Sequence, residues 1–139
     1  MQQYLKHKEV ALISKNTPLL ANLTVIDNIA LILEYHNRCS VNVAIIKVME
    51  LLKKCHIETI RDKKPHQLSR KDIIKVKYLR AHVSDYNMIV IDRPFMILDE
   101  HNDIDCIFEM FELLDEKDVE IVDLESNHYY KDKQCHIIK

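Results

Sequence analysis

The 139 residues contain no glycine, where an average chain of this length carries about ten at the usual ~7%. Loops that cradle phosphate need glycine for positive φ and for close approach of the backbone to the ligand. A GxxxxGK[ST] loop is therefore excluded from this sequence. An excess of charge is missing too: 20 Lys and Arg stand against 22 Asp and Glu, a net charge of −2. That balance gives no reason to expect nucleic acid or an anionic membrane as the main partner. No apolar run approaches the roughly 20 residues that span a bilayer, and residues 1–8 carry no signal-peptide apolar region. The expectation is a cytoplasmic protein without direct membrane insertion. Cys39, Cys55, Cys106 and Cys135 form no CxxC pair and have no regularly spaced histidine partners. They read as free buried thiols, with a zinc site as the second reading, and no cofactor is expected. The length suits a single domain, 1–139, that buries roughly two-thirds of its unfolded surface.

What is present is organised around residues 65–94. Ser69 caps a basic helix through Leu79-Arg80-Ala81, with Asp72 at its third position. Its lysines and arginines, Arg70, Lys71, Lys75, Lys77 and Arg80, read as a solvated face. Met88-Ile89-Val90-Ile91 is a continuous apolar run that ends in Asp92. Such a run fits a strand covered on both faces, and α/β folds place ligand chemistry at the carboxyl ends of such strands.

Upstream, 9–14 reads as a short buried strand, broken before Pro18. Thr24 caps a helix whose Val25, Ile29, Ile32 and Leu33 share one face. A second helix follows Ser40, with Val41, Ala44, Ile45, Val48, Leu51, Leu52 and Cys55 at helical spacing. That stripe reads as core. Downstream, 99–125 turns acidic, Ile104, Ile107, Phe108, Phe111 and Leu114 form a helical apolar face, and 119–124 and 135–138 read as strands.

Taken in order, Pro18-Leu19-Leu20-Ala21-Asn22-Leu23-Thr24-Val25-Ile26-Asp27-Asn28-Ile29-Ala30, then Pro65-His66-Gln67-Leu68-Ser69, Leu79-Arg80-Ala81 and Asp92-Arg93-Pro94-Phe95 resemble the ATP-binding (nucleotide-binding) domains of ABC transporters. Those domains read roughly PLLPNLTVxENVA, PHQLSGGQxQRVAIARAL and LLLLDEPF. The resemblance covers the part after the Walker A segment and implies an α/β fold: a partial ABC-ATPase-like, P-loop-NTPase-related sheet with flanking helices and a helical subdomain over 24–64.

The same resemblance assigns roles to positions, and most of them have changed. Lys15 stands where a glutamine touches metal and water, and lysine cannot accept a hydrogen bond or bind magnesium. LSGGQ has become Leu68-Ser69-Arg70-Lys71-Asp72, so long side chains occupy the place of amides that meet phosphate. Arg70 and Lys71 as cations for ATP are the second reading there. Asp92 matches the magnesium carboxylate, but the catalytic glutamate is Arg93, which cannot act as a general base and can pair with Asp92 or another carboxylate. Asp99 matches the D-loop aspartate, and Leu124 stands at the switch histidine. His128 reads as a surface residue or a displaced substitute.

Contact-forming pieces are better kept than nucleotide-touching ones. The expectation is a non-catalytic pseudo-ATPase subunit with a structural or regulatory role in a transporter-like membrane complex. Its partners would be a membrane permease-type subunit, seated near Leu19, Leu20, Asn22, Leu23 and Tyr35, an ABC ATPase subunit, or a second copy through Asp99. The alternatives are the inactive half of an asymmetric ABC ATPase heterodimer, or a soluble protein-binding module unrelated to transport.

Overall fold

A computed structural model describes residues 9–114, 117–123 and 136–138. Four parallel strands lie side by side in chain order: β1 (Ala11–Ile13), β2 (Met88–Asp92), β3 (Asp118–Val122) and β4 (His136–Ile138). Parallel neighbours need long crossovers, and helices fill the first two. Between β1 and β2 come α1 (Val25–Asn37), α2 (Val41–Lys54) and α3 (Arg70–His82). Between β2 and β3 comes α4 (Asp105–Leu113).

Register decides which side chains meet. Ala11 pairs with Ile89 and Ile89 with Val119, while Ile13 pairs with Ile91 and Ile91 with Ile121. Side chains alternate along a strand, so these six share one face, and all six belong to the main apolar core. Val90 lies on the opposite face and is also fully buried. The apolar run of β2 is thus covered on both sides, as its composition predicts. The first and third strands are shorter than the sequence suggests, Ala11–Ile13 and Asp118–Val122. Leu124, His128 and Cys135 lie outside the described residues.

Three helices start on a hydroxyl cap. Thr24, Ser40 and Ser69 each accept a hydrogen bond from the backbone N–H three residues on, at 3.2, 3.3 and 3.1 Å. Each such cap contributes about 1 kcal/mol. α1 and α2 pack against each other, and Val25 and Ile26 donate to the carbonyls of Lys63 and Arg61 at 2.9 and 3.1 Å. The chain after α2 therefore returns to the start of α1.

α3 packs against α1, α4 and β1. Ile74, Val76, Tyr78, Leu79 and Ala81 are buried, and so is Lys77. The solvated basic face expected for this helix is corrected here. Lys77 is only 5% exposed, and its ammonium donates to the Ser14 carbonyl at 2.9 Å. Arg80 donates to the carbonyls of Pro18 and Thr17 at 2.9 and 2.8 Å. The chain leaving β1 has spare carbonyls, because it turns before it can pair, and two helix-borne cations take them.

The lack of glycine has a visible consequence. Arg38, His56 and Arg93 take positive φ, at 52°, 59° and 46°, in a region that glycine enters without penalty and other residues do not. His56 follows α2, with its N–H bonded to the Lys53 carbonyl and the Ile57 N–H to the Leu52 carbonyl. This is the Schellman ending, in which glycine is the usual residue.

Candidate functional site

β2 delivers Asp92 to the carboxyl edge of the sheet. The next residue, Arg93, adopts φ 46° and ψ 69°, and its N–H bonds to the Val122 carbonyl at 2.7 Å. That left-handed turn folds the guanidinium back onto its neighbour. Arg93 Nε meets Asp92 Oδ1 at 3.2 Å and Nη2 meets Oδ2 at 3.3 Å. Both carboxylate oxygens are engaged by a fork of fixed charge, the geometry in which arginine binds a carboxylate best. A metal ion at Asp92 would have to displace that guanidinium or sit against it.

The next segment passes through a 3-10 turn at Pro94–Met96 and reaches Asp99, which pairs with Arg70. Arg70 Nε lies 3.1 Å from Asp99 Oδ1, and Arg70 Nη1 donates to the Ile97 carbonyl at 3.3 Å. The start of α3 and the segment after β2 are thus tied together at an exposed surface. Ser69 is committed to capping, Lys71 is exposed, and Asp72 is half-buried. Lys15 is exposed beside buried Ser14.

Of the residues expected to meet a permease-type partner, Leu19 is buried in the core and Leu23 is partly buried, whereas Leu20, Asn22 and Tyr35 are exposed. Tyr35 is the most open of the large apolar side chains among the described residues, at 80% exposure. The loop carrying them is fixed by Asn28. Its side chain accepts from the Leu20 N–H at 2.8 Å and donates to the carbonyls of Leu20, Leu23 and Thr24 at 3.2, 3.2 and 3.0 Å. Sequence reasoning missed Asn28, although a lone amide between the apolar positions Val25 and Ile29 was a signal. It also missed Lys77, which falls between Ile74 and Tyr78 on the face that packs.

Among the described residues no group of three or more His, Cys, Asp or Glu side chains is placed to hold a metal ion. No helix among them is long and apolar enough to cross a membrane.

No family model matches the chain. Single proteins do. It is 32% identical over 94 residues to the spermidine/putrescine import ATP-binding protein PotA of Oleidesulfovibrio alaskensis, a match covering 68% of this chain and 25% of that protein. It is 33% identical over 98 residues to the probable sulfate/thiosulfate import ATP-binding protein CysA of Chlorella vulgaris, covering 70% of this chain and 41% of that one. The matched region is therefore less than half of either relative. The fold matches the dimeric structure of MJ0796, a bacterial ABC transporter cassette, with a TM-score of 0.67 at 22% identity, over 88% of this chain and 55% of that one. The same cassette in a post-hydrolysis state with ADP and phosphate gives 0.66 at 23% identity. The chain is a relative of part of the ABC transporter ATP-binding domain, and its small parallel sheet with flanking helices has the fold of that part of a cassette.

Proposed function

We propose that this chain is a non-catalytic ABC-ATPase-like subunit with a structural or regulatory role in a transporter-like membrane complex. The observation that carries the reading is the Asp92–Arg93 pair. At the two positions where an ABC ATPase resembling this sequence keeps a magnesium carboxylate and a general base, this chain has a carboxylate neutralised by its neighbour. A guanidinium stays protonated at any physiological pH and takes no proton from water. The altered residues at Lys15, Arg70 and Lys71 support the same reading.

The proposed partner is a permease-type membrane subunit seated over Leu20, Asn22 and Tyr35, which would hold the chain at the cytoplasmic face without inserting it. A second reading, the inactive half of an asymmetric ATPase heterodimer, draws on the exposed Arg70–Asp99 pair. There Ser69, Arg70 and Asp99 would face the active subunit. Calorimetric titration of ATP with magnesium into the purified chain, with a phosphate-release assay alongside, tests the main proposal. No saturable binding and no release above blank is the expected result. Saturable micromolar binding or turnover would overturn it.

A further inference from the structure

Among the described residues, the cleft between β1, α1 and α3 is lined by two cations, Lys77 and Arg80, and by no carboxylate. Lys77, 5% exposed, gives one ammonium proton to the Ser14 carbonyl, and Arg80 gives two guanidinium protons to carbonyls at Thr17 and Pro18. Neither makes an ion pair with a carboxylate among the described residues. Two donors on Lys77 and three on Arg80 are left over. Burial, and then the charge of Arg80, lower the pKa of Lys77 to about 8. Burying a charge without a counter-charge is costly, and carbonyl dipoles offset only part of that cost.

Both residues line a cavity of about 160 Å³, whose walls also include Leu12, Ile32, His36 and Tyr86. His36 Nδ1 accepts from the Asp85 N–H at 3.2 Å and lies 4.0 Å from an Asp85 carboxylate oxygen. The cavity therefore combines cationic donors with an aliphatic wall. We propose that it binds a small organic carboxylate, the anion lying between Lys77 and Arg80 and a short alkyl tail against Leu12 and Ile32. At roughly 30 Å³ per water-sized group, the space holds about five such groups, and because it opens to solvent it accommodates a short carboxylate such as butyrate but only a fraction of a nucleotide. Inorganic phosphate is disfavoured, since its oxygens on the Leu12 and Ile32 side would lose water without gaining donors. The bound carboxylate would bridge the segment 14–18 to α3 and fix the chain on either side of Lys15.

The test is a titration of sodium butyrate into the full chain, followed by calorimetry and by NMR shifts, with sodium phosphate and sodium chloride as parallel titrants. Saturable butyrate binding is expected, weakened about tenfold or more in Lys77→Met, an effect near 1.4 kcal/mol, and unchanged in Lys71→Met at an exposed lysine. The wild-type affinity should also fall between pH 7 and pH 9, a readout independent of whether Lys77→Met folds. Absence of saturation, equal binding by Lys77→Met, or phosphate binding tighter than butyrate would each overturn the proposal.

Discussion

Arg93 closes a two-pronged ion pair on Asp92, its own neighbour, Nε to Oδ1 at 3.2 Å and Nη2 to Oδ2 at 3.3 Å. The Arg93 side chain is 43% exposed and that of Asp92 17%. Water therefore screens the attraction, and the pair should stabilise the fold only modestly, by about 0.2–1 kcal/mol. A double-mutant cycle of Asp92→Asn and Arg93→Ala by urea unfolding checks this. A coupling near zero would mean that the guanidinium does not hold the carboxylate in solution.

His56→Gly should stabilise the protein. The residue is exposed, sits at φ 59° and ends α2 in a Schellman turn. A left-handed conformation costs a non-glycine residue about 1–2 kcal/mol, while the extra freedom of glycine in the unfolded chain takes back up to about 1 kcal/mol. The net expectation is a gain of about 0.5–1 kcal/mol, read as a rise of a few degrees in Tm. A fall in Tm would show that the His56 side chain contributes a contact of its own.

These positive-φ positions were not legible in the sequence, because the usual sign of a helix stop is a glycine and this chain has none. What was legible depended on neighbours in sequence. Thr24, Ser40 and Ser69 cap their own helices three residues on, and Met88 to Ile91 is apolar over consecutive positions. The Asp92–Arg93 pair was foreseeable for the same reason. Arg70–Asp99 and Lys77–Ser14 were not, because their partners lie 29 and 63 residues apart and meet only once the strands align. A basic run gives no sign of which lysine the sheet will cover.

Asn28→Ala should be among the more damaging single changes. The amide is 2% exposed and serves four backbone groups of the loop between β1 and α1. Removing it strands one N–H and leaves three carbonyls with one donor fewer. A loss of about 2–3 kcal/mol is expected, with little change in the denaturant slope. A loss under about 0.5 kcal/mol would mean that water replaces the amide.

The thiols should differ in reactivity. Burial raises the pKa of Cys55, against the smaller opposing charges of Lys54 and Lys75, and raises that of Cys106 to about 11. Cys39 is only half-buried. Since the thiolate is the nucleophile, iodoacetamide at pH 8 should label Cys39 well before Cys55 and Cys106, as followed by peptide mass mapping. Equal labelling would show that α2 and α4 open on the timescale of the reaction.

Lys77 gives the protein a pH dependence whose sign runs opposite to that of a paired lysine. Its pKa falls from 10.5 to about 8 on folding, first through burial and then through the charge of Arg80. Below pH 8 both folded and unfolded states hold the proton, and the cost of burying the charge is present in full. Between about pH 8 and 10.5 the unfolded chain binds more protons than the folded one, so this residue's contribution to stability rises with pH. Cys55 and Cys106 act in the opposite sense, because their folded pKa values lie above the ordinary 9.0, and a single wild-type curve would mix the effects. The informative quantity is the difference in unfolding free energy between wild type and Lys77→Met, taken from pH 7 to pH 10. That difference should move in favour of wild type as the pH increases. A flat difference would mean that Lys77 keeps its ordinary pKa and that its ammonium reaches water.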